Sequence, residues 1–138
     1  MTELSEPPNL TEMAIEIGIQ REEWGTGSSS VSVEITAKHC NKGGVAHGGL
    51  YTMMLDMALG GSLVSILPKA EWCATTSLNV SFISAARPGE KIIAVGNVVK
   101  RGQNVAHLKG EITTESGRVV ATATGTWAIW NHKPASMG

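Results

Sequence analysis

The chain has 138 residues, of which 42% are hydrophobic and 17% are charged. These values fit one globular domain with a sizeable core and exclude a disordered chain. The net charge of −1 provides no general field for nucleic acid or an anionic membrane, so neither is expected as a partner, and an anionic ligand would need a local group of cations.

The sequence carries no sign of export or of a membrane span. Cys40 and Cys73 lie far apart and do not resemble a secreted disulfide framework, although one bridge between them stays open. The N-terminus lacks the pattern of a signal peptide. The longest apolar run, residues 50–67, is interrupted by Asp56 and by glycines. A cytoplasmic location is expected.

The N-terminal third predicts an arm and a hairpin. Residues 1–12 are expected to form the arm, and residues 13–138 a single domain. Alternation of apolar and polar residues predicts one strand over residues 14–19 and a second over residues 31–36. Glycines and serines between them predict the turn of a hairpin.

One helix is predicted over residues 50–67, and Pro68 ends it. Because this segment is apolar almost all round, the helix should be buried. Gly60 and Gly61 weaken it locally and indicate close approach by another backbone.

The remaining chain predicts four long strands with short turns, which favours antiparallel pairing. The fold class is therefore α+β, with one long antiparallel sheet wrapped around the helix. Long edge strands in such a sheet favour a homo-oligomer. The four strands cover residues 72–84, 91–100, 105–114 and 118–130.

Asp56 is the strongest candidate for chemistry. It is the only charged residue between Gly43 and Pro68, and no cation lies one helical turn away from it. Burying an unpaired carboxylate costs free energy, so the choice is between a functional carboxylate and a structural one with partners from elsewhere in the fold.

A glycine-rich loop precedes the helix and contains Asn41, His47, Gly48 and Gly49. Free N–H groups at a helix start can bind an anion or polarise a carbonyl. His47 and Asp56 are nine residues apart, or about 13 Å along a helix, so they cannot pair within one chain. Either the substrate runs along the helix or groups from two subunits meet.

Cations occur at two strand turns, where they are either solvated or clamp a phosphate. They are Arg87, Lys91, Lys100 and Arg101. The histidines and cysteines lack metal-binding spacing, and no phosphate loop, dinucleotide motif or nucleophile elbow is present.

The pattern Asn41-x5-His47-Gly48-Gly49, followed by Asp56 and Ala58, resembles the PaaI-like branch of the hotdog-fold acyl-CoA thioesterases, which includes the phenylacetyl-CoA and 4-hydroxybenzoyl-CoA types. The resemblance runs from about Ile15 to Ile129. It implies a hotdog fold, acyl-CoA as substrate and a homodimer, often doubled to a tetramer.

The resemblance also implies roles for the site residues. Asp56 matches the general base or nucleophile, and Gly49, flanked by Gly48, matches the N–H that polarises the thioester carbonyl. Asn41 matches the residue that orients water, and His47 one that assists at the carbonyl. Thr75 matches a hydroxyl contributed across the dimer.

The resemblance places coenzyme A on two segments, with no cofactor and no metal required beyond it. These segments contain Phe82, Ile83, Ser84 and Arg87 in the first, and Lys100, Arg101, Gly102, Gln103 and Asn104 in the second. Two alternatives remain: an enoyl-thioester hydratase or dehydratase of the same fold, and a non-catalytic acyl-CoA binding module. The acyl group, and the choice between general base and nucleophile, stay open.

Overall fold

The computed structural model describes residues 2–137, and the observed elements follow the sequence-predicted order except at the N-terminus. In chain order they are α1 (Glu12–Ile17), β1 (Gln20–Gly25), β2 (Ser28–Glu34), a 3₁₀ turn (Ala37–His39), α2 (Gly48–Val64), β3 (Trp72–Phe82), β4 (Lys91–Arg101), β5 (Val105–Thr114), β6 (Val119–Trp130) and a second 3₁₀ turn (Ala135–Met137).

The six strands form one antiparallel sheet in the order β1-β2-β4-β5-β6-β3. Helix α2 packs against this sheet, mainly against β4, β2, β5 and β3. This arrangement confirms the predicted α+β hotdog fold. Strands β1 and β3 are the two edges, and β3 is hydrogen-bonded only to β6 within the described chain.

Helix α2 supplies the centre of the core. Leu55, Leu59 and Leu63 are fully buried. At Gly96 of β4 the sheet comes so near that an added Cβ atom would collide with the backbone of Ala58. Close approach of another backbone was expected at Gly60 and Gly61, but in the structure it is Gly96 of β4 that comes close to the helix backbone. The side chain of Trp127 lies against Gly60, and that of Ser29 lies against Gly61.

The strand predicted over residues 14–19 is wrong, because this segment is the short helix α1. Thr11 caps its start, and Gly18 ends it with a left-handed φ of 90°, donating its N–H to the carbonyls of Ala14 and Ile15. The alternating isoleucines misled the prediction: Ile15 is 60% exposed, and Ala14 is the residue that α1 buries.

The hairpin exists, but it joins different residues. Gly25 pairs with Ser28, so a two-residue turn of Thr26 and Gly27 connects β1 to β2. Both turn residues have positive φ, 53° and 86°, as tight hairpin turns require. The serines predicted for the turn belong to β2, where Ser29 is fully buried.

Helix α2 begins two residues earlier than predicted and ends three residues earlier, at Val64. Gly48 and Gly49 therefore form its first turn, with His47 as the N-cap residue. In residues 2–137, no helix combines the length and apolarity that a membrane crossing needs.

Candidate functional site

Asp56 lies on the part of α2 that the sheet leaves partly exposed, and its partner comes from β3. The hydroxyl of Thr75 donates a hydrogen bond of 2.7 Å to Asp56 Oδ1. This partner is 19 residues away in sequence. Thr75 was predicted to contribute its hydroxyl from the other subunit of a dimer. In the structure it reaches Asp56 of its own chain, so this contact requires no second subunit.

Asp56 and Thr75 line a cavity of about 350 Å³. The rest of its wall is mainly apolar and includes Met53, Met57, Gly60, Trp24, Trp72, Cys73 and Trp127. A carboxylate beside a hydroxyl at the edge of an apolar cavity is the arrangement expected for a site that binds an apolar group and performs chemistry next to it.

Cys73 is not the nucleophile of this cavity. Burial, and in addition the negative charge of Asp56, raise the pKa of the Cys73 thiol to about 12. The thiol is thus protonated at neutral pH, and a protonated thiol is a poor nucleophile. Both cysteines are free, which answers the question of a bridge between them.

The loop before α2 delivers His47, Gly48 and Gly49 to the start of the helix. Across residues 2–137 the N–H groups of Gly48 and Gly49 have no acceptor. An alanine Cβ at Gly49 would meet no atom within 4 Å. A ligand can thus approach this helix start closely, where the helix dipole is positive.

His39 fixes the position of that loop through its hydrogen bonds. It is buried; Thr36 N–H donates to its ring Nδ1 at 2.9 Å, and its Nε2 bonds the carbonyl of Ile17. Its own carbonyl accepts the N–H of His47 at 2.9 Å. His39 was not predicted as a site residue, since one histidine in a loop carries no distinguishing pattern.

Asn41 holds a turn within the same loop. Its Oδ1 accepts the N–H of Gly43 at 2.9 Å, and its side chain is otherwise exposed to solvent. The amide nitrogen of Asn41 donates to no group in the described chain, so it is available to a substrate or a water molecule.

A single chain does not bring these residues to Asp56. His47 and Gly49 line a different cavity, which shares only Met53 with the Asp56 cavity. Gly48 lines a third, together with Phe82, Ile83 and Ser84. This division agrees with helix geometry, in which nine residues of α2 extend about 13 Å along the axis.

The two segments predicted to hold coenzyme A lie at opposite ends of β4. This strand has 11 residues, so its two ends are about 33 Å apart. Phe82 and Ile83 are more than half exposed and lie beside Gly48. Residues Gly102, Gln103 and Asn104 form the β4–β5 turn, which closes through a Gly102 N–H to Val105 carbonyl hydrogen bond of 2.9 Å.

The predicted cations do not form one clamp. Arg101 pairs with Glu71 at 2.5 Å and Lys91 pairs with Glu22 at 3.4 Å. Arg87 and Lys100 are exposed and make no ion pair within residues 2–137. These two are therefore the cations of the set that remain available to an anion.

Arg118 is a residue of this region that the sequence analysis missed. Its guanidinium donates to Ser84 Oγ at 3.1 Å, to the Ala85 carbonyl at 2.8 Å and to Glu90 at 2.6 Å. The hydrogen bond from Arg118 lowers the pKa of Glu90. Arg118 thus links the β3–β4 turn to the start of β6.

The tryptophans and methionines are divided between core and cavity. Trp127 is 2% exposed and belongs to the core, but it also lines the Asp56 cavity. Met54 is fully buried, whereas Met53 and Met57 line the cavity. The spacing of residues 53, 56, 57 and 60 on one helical face is a signal that could have identified this wall.

Known proteins resemble this chain in sequence. Residues 43–121 match the Thioesterase superfamily. The chain is 33% identical over 99 residues to "Putative esterase PA0474" of Pseudomonas aeruginosa, covering 72% of this chain and 73% of that protein. It is 24% identical over 106 residues to human acyl-coenzyme A thioesterase 13, covering 76% and 75%.

Solved structures share the fold. The PaaI protein of the Escherichia coli phenylacetic acid degradation operon aligns with a TM-score of 0.80 at 20% identity, covering 86% of this chain and 83% of that one. A hypothetical thioesterase of Streptococcus pneumoniae, solved with coenzyme A, aligns with a TM-score of 0.79 at 22% identity, covering 88% and 94%.

The fold and these relatives define a hotdog-fold thioester hydrolase. The chain belongs to the Thioesterase superfamily, which its residues 43–121 match.

Proposed function

We propose that the protein hydrolyses acyl-CoA thioesters and that Asp56 is its catalytic carboxylate. The observation that carries this proposal is the Thr75 hydroxyl at 2.7 Å from Asp56 Oδ1, at the edge of an apolar cavity. The hydroxyl holds one carboxylate oxygen in place, and the second oxygen stays available for the reaction.

The chemistry requires little beyond a carboxylate and a hydrogen-bond donor. An ionised Asp56 takes a proton from water, or attacks the thioester carbon directly. By the first route, water forms the new C–O bond as the C–S bond breaks, and the coenzyme A thiolate takes the proton from Asp56. By the second route, Asp56 forms an anhydride as the thiolate leaves; water then hydrolyses the anhydride, which frees Asp56 and the acid, and the thiolate takes the proton released. Because a thiolate is a fair leaving group, no strong acid, metal or added cofactor is needed.

The developing oxyanion needs hydrogen-bond donors, and within residues 2–137 the free N–H groups of the helix start do not line the Asp56 cavity. The N–H groups of Gly48 and Gly49 fit this role, with His47 and the amide of Asn41 beside them. One such donor typically contributes about 3–4 kcal/mol to transition-state stabilisation. We therefore propose that these groups come from a second copy of the chain.

The open edge of β3 supports a homodimer of this kind. Strand β3 starts near Asp56, to which its Thr75 donates, and ends at Phe82, whose ring lies against Gly48. If two β3 strands pair antiparallel, the Asp56 end of one copy meets the Gly48 end of the other. Such pairing also covers an edge that would otherwise invite aggregation. A dimer of such dimers is the proposed assembly.

Each end of β4 has a cation nearby that can bind the phosphates of coenzyme A. Arg87 and Lys100 are the exposed ones, beside the segments that contain Phe82, Ile83 and Ser84, and Gly102, Gln103 and Asn104. Cations of this type bind phosphate by charge and by hydrogen bonds. Replacing Arg87 or Lys100 by glutamine should raise KM for acyl-CoA more than it lowers kcat.

Thiol release from a panel of aryl- and alkyl-CoA thioesters, run beside Asp56→Asn, tests the proposal. Loss of turnover in the variant with retained acyl-CoA binding supports hydrolysis through Asp56. Product analysis separates the rival reaction, because a hydratase changes the acyl chain and releases no thiol. Tight binding without thiol release by the unmodified protein would identify a binding module instead.

A further inference from the structure

The N-terminal arm contributes to the cavity that contains Asp56. Residues Pro8, Asn9, Leu10 and Thr11 line this cavity together with the helix α2 residues and the tryptophans. Their presence there does not follow from the sequence, in which this segment carries only the composition of a tail. The arm is therefore placed where it can contact whatever the cavity holds.

The beginning of the arm is fixed to the chain that follows α2. The N–H of Ser5 donates to the Leu67 carbonyl at 2.8 Å, and the N–H of Lys69 donates to the Glu3 carbonyl at 2.9 Å. Leu4 thus forms an antiparallel bridge with Pro68. Ser5 is 6% exposed, so this attachment is a packed contact.

The end of the arm is fixed by β1 and by α1. Arg21 donates from Nη2 to the Pro8 carbonyl at 3.3 Å, and its guanidinium lies over the Trp24 ring at 5.0 Å. Thr11 caps α1, and Leu10 packs against the core. The segment between the two attachments has little freedom, and it forms a defined wall.

The space beside this wall suits the acyl part of a thioester. Gly60 lies one helical turn beyond Asp56, about 6 Å along the axis, and lines the cavity without a side chain. A Cβ atom there would come within 3.3 Å of Trp127 Nε1. Trp72 and Met57 add apolar surface, and the guanidinium of Arg21, which also lines the cavity, is held over Trp24 and by the Pro8 carbonyl. The mainly apolar lining favours an uncharged hydrocarbon group over the charged coenzyme.

We propose that the arm segment Pro8–Thr11 determines which acyl groups fit beside Asp56, with Leu10 as its principal contact. The inference rests on the proposed hydrolysis of thioesters at Asp56. The arm limits the size of the apolar acyl group that the cavity accepts. A change at Leu10 therefore alters acyl selectivity without altering the chemistry at Asp56.

The test compares Leu10→Trp and Leu10→Ala with the matched control Leu4→Ala. Leu4 belongs to the same arm, is 50% exposed and does not line the cavity. The measured quantity is the ratio of kcat/KM between bulky and small acyl-CoA substrates. Leu10→Trp should lower this ratio about tenfold, because hydrophobic pockets discriminate by about that factor or more per methylene. Leu10→Ala should raise it.

A second measurement does not depend on turnover. Trp24, Trp72 and Trp127 line the cavity, so tryptophan fluorescence should respond when an acyl-CoA binds. Titrating the same panel onto Asp56→Asn, with and without the Leu10 changes, gives a binding profile for each acyl group. Thermal unfolding of each variant checks that the fold is retained.

The outcomes separate the two proposals. A profile that shifts with both Leu10 variants and not with Leu4→Ala supports the arm as a selectivity wall. An unchanged profile, or an equal shift with Leu4→Ala, overturns that inference while leaving hydrolysis at Asp56 intact. If no thioester is hydrolysed, the proposed function fails, and the fluorescence profile still decides whether the arm selects among acyl groups.

Discussion

Replacing Thr75 by valine removes the hydroxyl that holds Asp56 and keeps the shape of the side chain. The bond lost is a 2.7 Å hydrogen bond to a carboxylate. Hydrogen bonds to charged groups contribute about 1.5–3 kcal/mol, and the exposure of Thr75 favours the lower half of that range. A loss of about 1.5–2.3 kcal/mol corresponds to a decrease of about ten- to fiftyfold in kcat.

Thr76→Val is the matched control for this change. Thr76 is the next residue of the same strand and is also exposed, but its hydroxyl bonds to the carbonyl and hydroxyl of Thr126. Thr76→Val should therefore keep kcat within about twofold of the unmodified protein, since the Thr76 hydroxyl contacts no group near the reaction. Thr75→Ser should restore most of the activity because it restores the donor.

The assay is thiol release at saturating acyl-CoA, with thermal unfolding measured in parallel. Equal losses in Thr75→Val and Thr76→Val, or a Thr75→Ser variant as slow as Thr75→Val, would show that the hydroxyl does not act through Asp56. The reasoning would also be refuted by a valine variant with unchanged kcat.

Three further predictions concern the helix start, the cysteines and metals. Gly48→Ala should lower kcat/KM severalfold with little change in Tm, because its Cβ would lie 2.9 Å from Phe82 Cε1 and displace that exposed ring. Gly49→Ala meets no protein atom within 4 Å, so its Tm should also be unchanged, but its methyl group enters the space proposed for the thioester and should lower kcat/KM as well. Unchanged kcat/KM in both variants would contradict the proposed role of the helix start. Iodoacetamide at pH 8 should modify Cys40 before Cys73, whose pKa of about 12 keeps it protonated, and peptide mass spectrometry would reveal the reverse order. Prolonged treatment with EDTA should leave thiol release unchanged, and a loss that added Zn²⁺ or Mg²⁺ restores would show a metal requirement.

The sequence was sufficient to predict the elements whose patterns are long and unambiguous. The apolar run ending at Pro68 predicted α2, and the turns around Gly89 and Gly117 predicted the four long strands to within two residues. The strand predicted over residues 14–19 is wrong because the alternating isoleucines have the pattern of a strand, whereas the caps at Thr11 and Gly18 stabilise a helix of 6 residues there.

The site was predictable in part. Asp56 stood out because no other charge accompanies it on α2. Its contact with Thr75 depends on how β3 lies beside the helix, and that placement is a property of the tertiary fold. Backbone hydrogen bonds of Ser5 and Lys69 hold the arm so that residues 8–11 line the cavity. Backbone hydrogen bonds of this kind do not depend on side-chain type, so the sequence pattern does not predict them.

The most direct test of the central claim is a mixed-dimer experiment with Asp56→Asn and Asn41→Ala. Each variant alone should have little thioesterase activity. If each site combines Asp56 of one copy with Asn41 and the helix start of the other, a dimer containing one chain of each kind has one site with neither change. Purified mixed dimers should then recover about half of the unmodified activity, since sites of this kind act independently. Mixed dimers no more active than the two separate variants would show that the site does not form between two copies.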